Sequence, residues 1–153
     1  PDFKPKGEEG GFVIMGLDYA GIKFVSTKDG CAMRYVVCKD AQKGAAEQTV
    51  AEQAVKLTAM PKPYTQKYAV DDIPQPRSAT PWMYVRAKVH SEGTGNAIAQ
   101  FAYSKDGKKF TDLGQPFEIK EGKWIGAKIG FYCMRPSTKN DSPFFDVDWI
   151  HFE

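Results

Sequence analysis

The sequence predicts an all-β protein built as an antiparallel β-sandwich. At least six segments carry the apolar runs or the alternating pattern that is typical of strands, and short turns separate many of them. Little of the chain favours helix. A β-propeller, which is also made of short strands, needs several similar repeats, whereas the chain contains one Ser-Lys-Asp-Gly hairpin. The sandwich is therefore the favoured architecture.

The N-terminal part contains two segments with strand character. Residues 11–25 begin as an apolar run and continue as a looser alternation, in which the glycines indicate bends or bulges. Residues 31–40 follow the Thr-Lys-Asp-Gly turn at 27–30. We expect this second segment to pair with the first as a hairpin.

The segment at residues 44–60 is ambiguous between helix and strand. Its Ala, Glu and Gln content favours helix, and a helical stripe would contain Ala46, Val50, Ala54 and Leu57. The segment lies between strands, however, and a long hairpin would supply it with a partner. We predict a strand here and keep the helix as the alternative.

The central and C-terminal parts combine one long loop with several strands. Residues 60–81 are rich in proline and polar residues, which predicts a surface loop. Residues 81–90 form a predicted strand whose alternation separates two faces. The predicted core face holds Met83, Val85, Ala87 and Val89, and the opposite face holds Trp82, Tyr84, Arg86 and Lys88. Further strands are predicted at residues 96–104, 124–134 and 144–153.

Aromatic and polar residues alternate around an Asp-Gly pair at residues 101–117. We interpret Asp106 and Gly107 as a type I′ hairpin turn that the short Asp106 side chain caps. Phe101 and Tyr103 then share one face of the first arm, and Phe110 begins the second arm. This interpretation predicts a structural turn and not a catalytic carboxylate.

Length and charge exclude several classes of protein. The 153 residues fit one domain that is long enough to bury a sizeable core. Lys and Arg total 21 against 19 acidic residues, and the formal charge of +2 argues against a nucleic-acid-binding protein. No apolar run approaches the roughly 18 residues of a membrane span, and no signal peptide is recognised. Because the chain starts with Pro1, we expect a processed product or a fragment of a larger protein.

The cysteines and histidines do not predict a metal site. Cys31, Cys38 and Cys133 cannot all pair with one another, so partly buried free thiols are predicted, with one disulfide as the alternative. His90 and His151 lie far from the thiols without metal-ligand spacing. Neither histidine has a nucleophile motif nearby, and no Gly-x-Ser-x-Gly motif is present.

Asp146 and Asp148 form a carboxylate pair near the end of the chain. They lie two residues apart and share one face of the last predicted strand. The pair could form a solvated face, hold a structural calcium ion together with backbone carbonyls, or contact a neighbouring domain. The sequence leaves these alternatives open.

Trp82 and Trp124 are the candidate carbohydrate-contacting residues, because an indole presents an apolar face on which a sugar ring can stack. Trp82 lies on the face opposite the predicted core. Trp124 stands where a predicted strand begins after a polar turn. Trp149, in the last predicted strand, is assigned to the core.

Several motifs occur in a fixed order along the chain. Residues 101–110 read F-x-Y-S-x-D-G-x-x-F, residues 122–130 read G-x-W-I-G-A-K-x-G, and a third motif lies at residues 146–149. Upstream, residues 11–25 and 36–44 read GFVIMGLDYAGIKFV and VVCKDAQKG. Together these segments resemble the concanavalin A-like sandwich that follows the catalytic domain in family 43 glycoside hydrolases, the β-xylosidase and α-arabinofuranosidase group.

The resemblance implies a concanavalin A-like jelly roll that is a non-catalytic accessory domain of a glycoside hydrolase. The parent enzyme would act on plant hemicellulose such as xylan and arabinoxylan. The domain would pack on the catalytic β-propeller of the same protein and help to close its sugar pocket. Trp124 is the position nearest to the aromatic residue that walls this pocket in the family. The chain has no counterpart of the propeller, and the first strands of the sandwich are expected to be missing.

An independent carbohydrate-binding module is the alternative function, with Trp82 and Trp124 stacking on xylo- or arabino-oligosaccharides. A self-contained hydrolase would require a carboxylate pair that faces a cleft. The resemblance suggests a periplasmic or extracellular parent, whereas free cysteines weigh against an oxidising compartment. Neither a nucleic acid nor a membrane is expected as a partner.

Overall fold

A computed structural model describes residues 7–28, 30–55, 83–91, 97–136, 147 and 150–152. These residues form two antiparallel sheets that share one core. Sheet I consists of β1 (Glu9–Met15), β2 (Tyr19–Thr27), β3 (Gly30–Cys38), β4 (Gln48–Val55) and β9 (Lys128–Met134), in the spatial order β4-β3-β2-β1-β9. Sheet II consists of β5 (Tyr84–Ser91), β6 (Ala97–Ser104), β7 (Thr111–Asp112) and β8 (Phe117–Ile119), and β6 pairs with the other three. The predicted antiparallel β-sandwich is confirmed.

Two consecutive hairpins build the centre of sheet I. β2 and β3 form the predicted hairpin, and Thr27 lies opposite Gly30 next to its turn. β1 and β2 also pair, with Met15 opposite Tyr19, so residues 11–25 contain two strands and a turn where bends or bulges were predicted. Gly16 in this turn permits the close approach of the segment before β9, because a Cβ atom there would lie 1.8 Å from the Lys120 carbonyl oxygen.

The ambiguous segment forms a strand over its described part. β4 pairs with β3 after a short 3-10 helix (Ala41–Lys43), with a bulge between Tyr35 and Val36. Val50, which the helical alternative would place on its apolar stripe, is 48% exposed. The strand is therefore confirmed for residues 48–55, and residues 56–60 lie outside the described part, as does the whole predicted loop at 60–81.

The later strands agree with the prediction in part. Met83, Val85 and Ala87 pack against the core as expected, whereas Val89 is 53% exposed. β6 is confirmed, but β9 begins at Lys128, four residues after its predicted start. Of residues 144–153 the structure describes only 147 and 150–152, so the last strand stays a prediction. Within the described ranges, no helix has the length and apolar character that a membrane crossing requires.

Aromatic contacts join the two sheets. Phe101 of β6 has no exposed surface, and its ring centroid lies 5.4 Å from that of Tyr35 and 6.1 Å from that of Phe12. Phe12 also contacts Phe131 of β9, with centroids 5.4 Å apart. The rest of the buried core is formed by Ile14, Ala20, Ile22, Phe24, Cys31, Met33, Ala99, Leu113, Phe117 and Ile119.

Replacing Phe101 by alanine is expected to lower the free energy of unfolding by about 3–5 kcal/mol, because it opens a cavity between the sheets. Urea unfolding measures the change. Val89→Ala, at an exposed position of β5, is the control and should cost less than about 0.5 kcal/mol. A Phe101→Ala variant as stable as the unmodified chain would contradict the described core.

Candidate functional site

Trp124 lies in an exposed bend and not in a strand. Lys123, Trp124 and Ile125 form a bend in the segment between β8 and β9, because β9 begins only at Lys128. Trp124 is 87% exposed. The Lys123 ammonium lies 5.9 Å from the centre of the Trp124 ring, at the limit of a cation–π contact. The indole therefore presents a broad apolar face to solvent.

The bend belongs to one end of the sandwich, where the β1–β2 turn meets the segment before β9. The backbone N–H of Leu17 donates to the Glu121 carbonyl at 3.2 Å. Both segments carry exposed apolar side chains near this contact, and we call this set of residues the apolar end. It consists of Met15, Leu17, Trp124 and Ile125, which are 48%, 37%, 87% and 56% exposed.

The other predicted site residues lie outside the described part of the chain. Trp82, Asp146, Asp148 and Trp149 are all in this group. The second stacking platform and the calcium pair therefore stay predictions. Among the described residues, no three or more His, Cys, Asp or Glu side chains are grouped as metal ligands would be.

The three cysteines are thiols, which confirms the prediction over the disulfide alternative. Cys31 and Cys38 are buried, and Cys133 is exposed. Burial raises the pKa of the Cys31 thiol. Because the thiolate is the nucleophilic form, this residue is suited to packing and not to catalysis.

Asp106 has the predicted structural role, although the turn type differs. Its Oδ1 accepts hydrogen bonds from the backbone amides of Lys109 and Lys108, at 2.9 and 2.8 Å, and from the Ser104 hydroxyl at 2.8 Å. These donors lower the pKa of the Asp106 carboxyl. Gly107 has a φ of 70°, but Asp106 does not adopt the left-handed conformation, so the type I′ prediction is wrong. The turn is a wider loop that closes around the Asp106 carboxylate.

A charged cluster lies on the outer face of sheet I. Lys23 donates to Glu9 at 2.8 Å and to Glu47 at 2.5 Å, although its side chain is only 9% exposed. Glu47 also accepts a hydrogen bond from the Tyr19 hydroxyl at 3.0 Å. Burial by itself would lower the pKa of Lys23, but the hydrogen bonds to Glu47 and Glu9 outweigh burial and raise it. The cluster is therefore a cation held between two carboxylates, unlike the pair of a glycosidase, in which one carboxyl carries the catalytic proton.

A cleft of about 350 Å³ opens beside β3 and β4. Asp18 and Glu118 both line it, and a self-contained hydrolase would need a carboxylate pair that faces such a cleft. Asp18 accepts hydrogen bonds from the backbone amide of Asp40 at 2.7 Å and from the Lys120 ammonium at 2.9 Å. The Lys120 hydrogen bond, followed by that of the Asp40 amide, lowers the pKa of Asp18. A catalytic acid requires a raised pKa, so Asp18 is unsuited to that role.

Sequence reasoning missed both the charged cluster and the Asp18–Lys120 pair. The partners of Lys23 lie 14 and 24 residues away, and only the fold brings them together. The sequence carried no signal for this burial, because a single charge between Ile22 and Phe24 is the pattern of a strand with one solvent-facing side.

Replacing Lys23 by methionine is expected to lower the free energy of unfolding by about 3 kcal/mol or more, because two carboxylates lose their shared counter-ion. Arg34→Met is the matched control on the same face, where the Arg34–Glu52 pair is 30% and 48% exposed. Its loss should cost only about 0–1 kcal/mol. Equal denaturation midpoints for the two variants would contradict the described burial of Lys23.

Comparison with known proteins gives results that agree with the fold. A β-xylosidase of Formosa agariphila is 35% identical over 71 residues, which is 46% of this chain and 11% of that protein. The match therefore spans about a tenth of the relative's length. No solved structure matches the chain. The family described as the β-xylosidase C-terminal concanavalin A-like domain matches residues 2–153. Because this match covers nearly the whole chain and the two antiparallel sheets agree with it, the chain belongs to the family of C-terminal concanavalin A-like domains of family 43 β-xylosidases.

Proposed function

We propose that this chain is a single non-catalytic accessory domain of a longer family 43 glycoside hydrolase that acts on plant hemicellulose. The domain packs on the catalytic β-propeller of the same protein, and its apolar end helps to close the sugar pocket. The observation that carries this proposal is the 87% exposure of Trp124 within that end. Membership of a family of C-terminal β-xylosidase domains supports the type of parent enzyme.

The apolar end has the properties of an interaction surface. Exposed apolar patches of this kind mark contact sites, and tryptophan is enriched among the residues that contribute most to binding. The patch also rests on a fixed support. The Leu17–Glu121 hydrogen bond and the close approach of Gly16 to Lys120 hold the two segments together. These contacts order the backbone just before Trp124, which lowers the conformational entropy that this segment would lose on meeting a partner.

The carboxylates support a non-catalytic role. Asp18 is paired with Lys120, Glu9 and Glu47 share Lys23, and Asp106 caps its own turn. Each of these groups contacts a cation or backbone amides. We therefore assign bond cleavage to another domain of the parent protein.

An independent carbohydrate-binding module is the second candidate, and the same exposed indole favours it. Aromatic faces with a polar edge bind sugars as well as proteins. In this case Trp124, with Trp82 as the predicted second platform, would stack on xylo- or arabino-oligosaccharides. Affinity of the isolated chain for xylohexaose that is lost in Trp124→Ala would favour this candidate over the accessory role.

The purified chain is expected to show no hydrolysis of 4-nitrophenyl β-D-xylopyranoside or 4-nitrophenyl α-L-arabinofuranoside above the buffer rate. The physical reason is that none of the anchored carboxylates has the environment of a catalytic acid. Release of 4-nitrophenol is followed by absorbance. Turnover that disappears in Asp18→Asn would contradict the proposal and assign catalysis to the cleft.

In the intact parent enzyme, Trp124→Ala is expected to lower kcat/KM for xylo-oligosaccharides by about fivefold or more, as loss of a central interface residue costs more than about 1 kcal/mol. Lys123→Ala, in the same bend, is the control and should change kcat/KM less than about threefold. The fold should be unaffected, because Trp124 is exposed. An unchanged kcat/KM for Trp124→Ala would contradict the proposal that the apolar end helps to close the sugar pocket.

A further inference from the structure

The cleft beside β3 and β4 has the size and the mixed lining of a small-molecule site. Its volume of about 350 Å³ falls within the range of ligand pockets, roughly 300–1,000 Å³. The lining includes the apolar residues Val37, Val50 and Pro116 and the amide-bearing residues Gln48 and Gln115. The two glutamines and Val50 are exposed, so the cleft is accessible from solvent.

The charges of the lining favour a neutral ligand. Asp18 is neutralised by Lys120, whose ammonium lies 2.9 Å from the carboxylate. Lys39 and Glu118 also line the cleft, and they are opposite in sign. The four charged groups therefore sum to zero. An anionic or cationic ligand would gain no net attraction from this lining.

The amides match the chemistry of hydroxyl groups. A glutamine amide both donates and accepts hydrogen bonds, and so does every hydroxyl group of a sugar. Two such amides, together with apolar surface, suit a ligand that presents hydroxyl groups on its edges and C–H groups on its ring faces. Neither a purely apolar molecule nor a simple ion uses both parts of this lining.

One wall of the cleft is held in place by the core. The Tyr35 hydroxyl donates to the backbone carbonyl of Gln115 at 2.9 Å. Gly114 adopts a φ of 73°, and a Cβ atom there would lie 2.2 Å from the Tyr35 ring. The segment that carries Gln115 and Pro116 is therefore fixed on the Tyr35 ring. A wall that is already ordered binds a ligand at a lower entropic cost than a mobile one.

We propose that this cleft binds a neutral oligosaccharide segment through the amides of Gln48 and Gln115, at a site separate from the indole of Trp124. The inference does not depend on packing against a propeller. It also differs from the second candidate function, because the glutamines and not the tryptophans carry the affinity.

Isothermal titration of the purified chain with xylotriose, arabinotriose and trigalacturonate tests the proposal. At least one neutral trisaccharide should bind saturably below about 10 mM, and charged trigalacturonate should bind more weakly. The double variant Gln48→Leu with Gln115→Leu should weaken that affinity by about tenfold or more, equivalent to about 1.4 kcal/mol. Gln53→Leu, on the same strand as Gln48 but not on the cleft wall, is the control and should retain the affinity.

A second measurement keeps the test valid if the double variant is unstable. On titration of the unmodified chain, the NMR signals of the Gln48 and Gln115 side-chain amides should shift with the saturation curve of the sugar. Three results would overturn the proposal: no saturable binding of either neutral sugar, tighter binding of trigalacturonate, or affinity that Trp124→Ala removes while the glutamine variants retain it.

Discussion

The packing of Phe101 against Tyr35 and Phe12 joins the two sheets. The position of the segment at residues 113–117 and of one cleft wall depends on this contact. The carbonyl of Phe101 accepts a hydrogen bond from Leu113 N–H at 2.9 Å, which brings the 113–117 segment onto sheet II. Tyr35 extends from the same contact to the Gln115 carbonyl. The aromatic core therefore determines both the separation of the sheets and the position of one cleft wall.

Buried charges constrain the sandwich in a second way. An ion in a region of low dielectric is tolerated only with partners, so the Lys23 cluster favours the register that brings Glu9 and Glu47 to it. The Arg135–Glu8 ion pair, with Glu8 1% exposed, has the same effect where β9 ends. Together these pairs fix β1 between its neighbours and hence the position of the β1–β2 turn at the apolar end.

The apolar end and the cleft are adjacent parts of one surface. Lys120 lines the cleft through its side chain, and its carbonyl lies against Gly16 at the apolar end. Glu121, the next residue, accepts the Leu17 hydrogen bond. If the apolar end contacts a partner domain and the cleft binds a sugar, the partner and the sugar lie next to each other on this surface. The short segment before β9 therefore links the two proposals structurally, although each depends on different side chains.

Local sequence patterns indicated most of the described strands, because the side-chain period of two and the turn at residues 27–30 are properties of neighbouring residues. The spacing of motifs around residues 101–130 likewise indicated the family before any contact was known. Three features depended on tertiary structure: the turn at Gly16, the start of β9 at Lys128 and the partners of Lys23 and Asp18. Each follows from contacts between residues distant in the chain. The sequence alone therefore determined the fold class and singled out Trp124, and the packing of the two sheets decided which polar groups share a cleft.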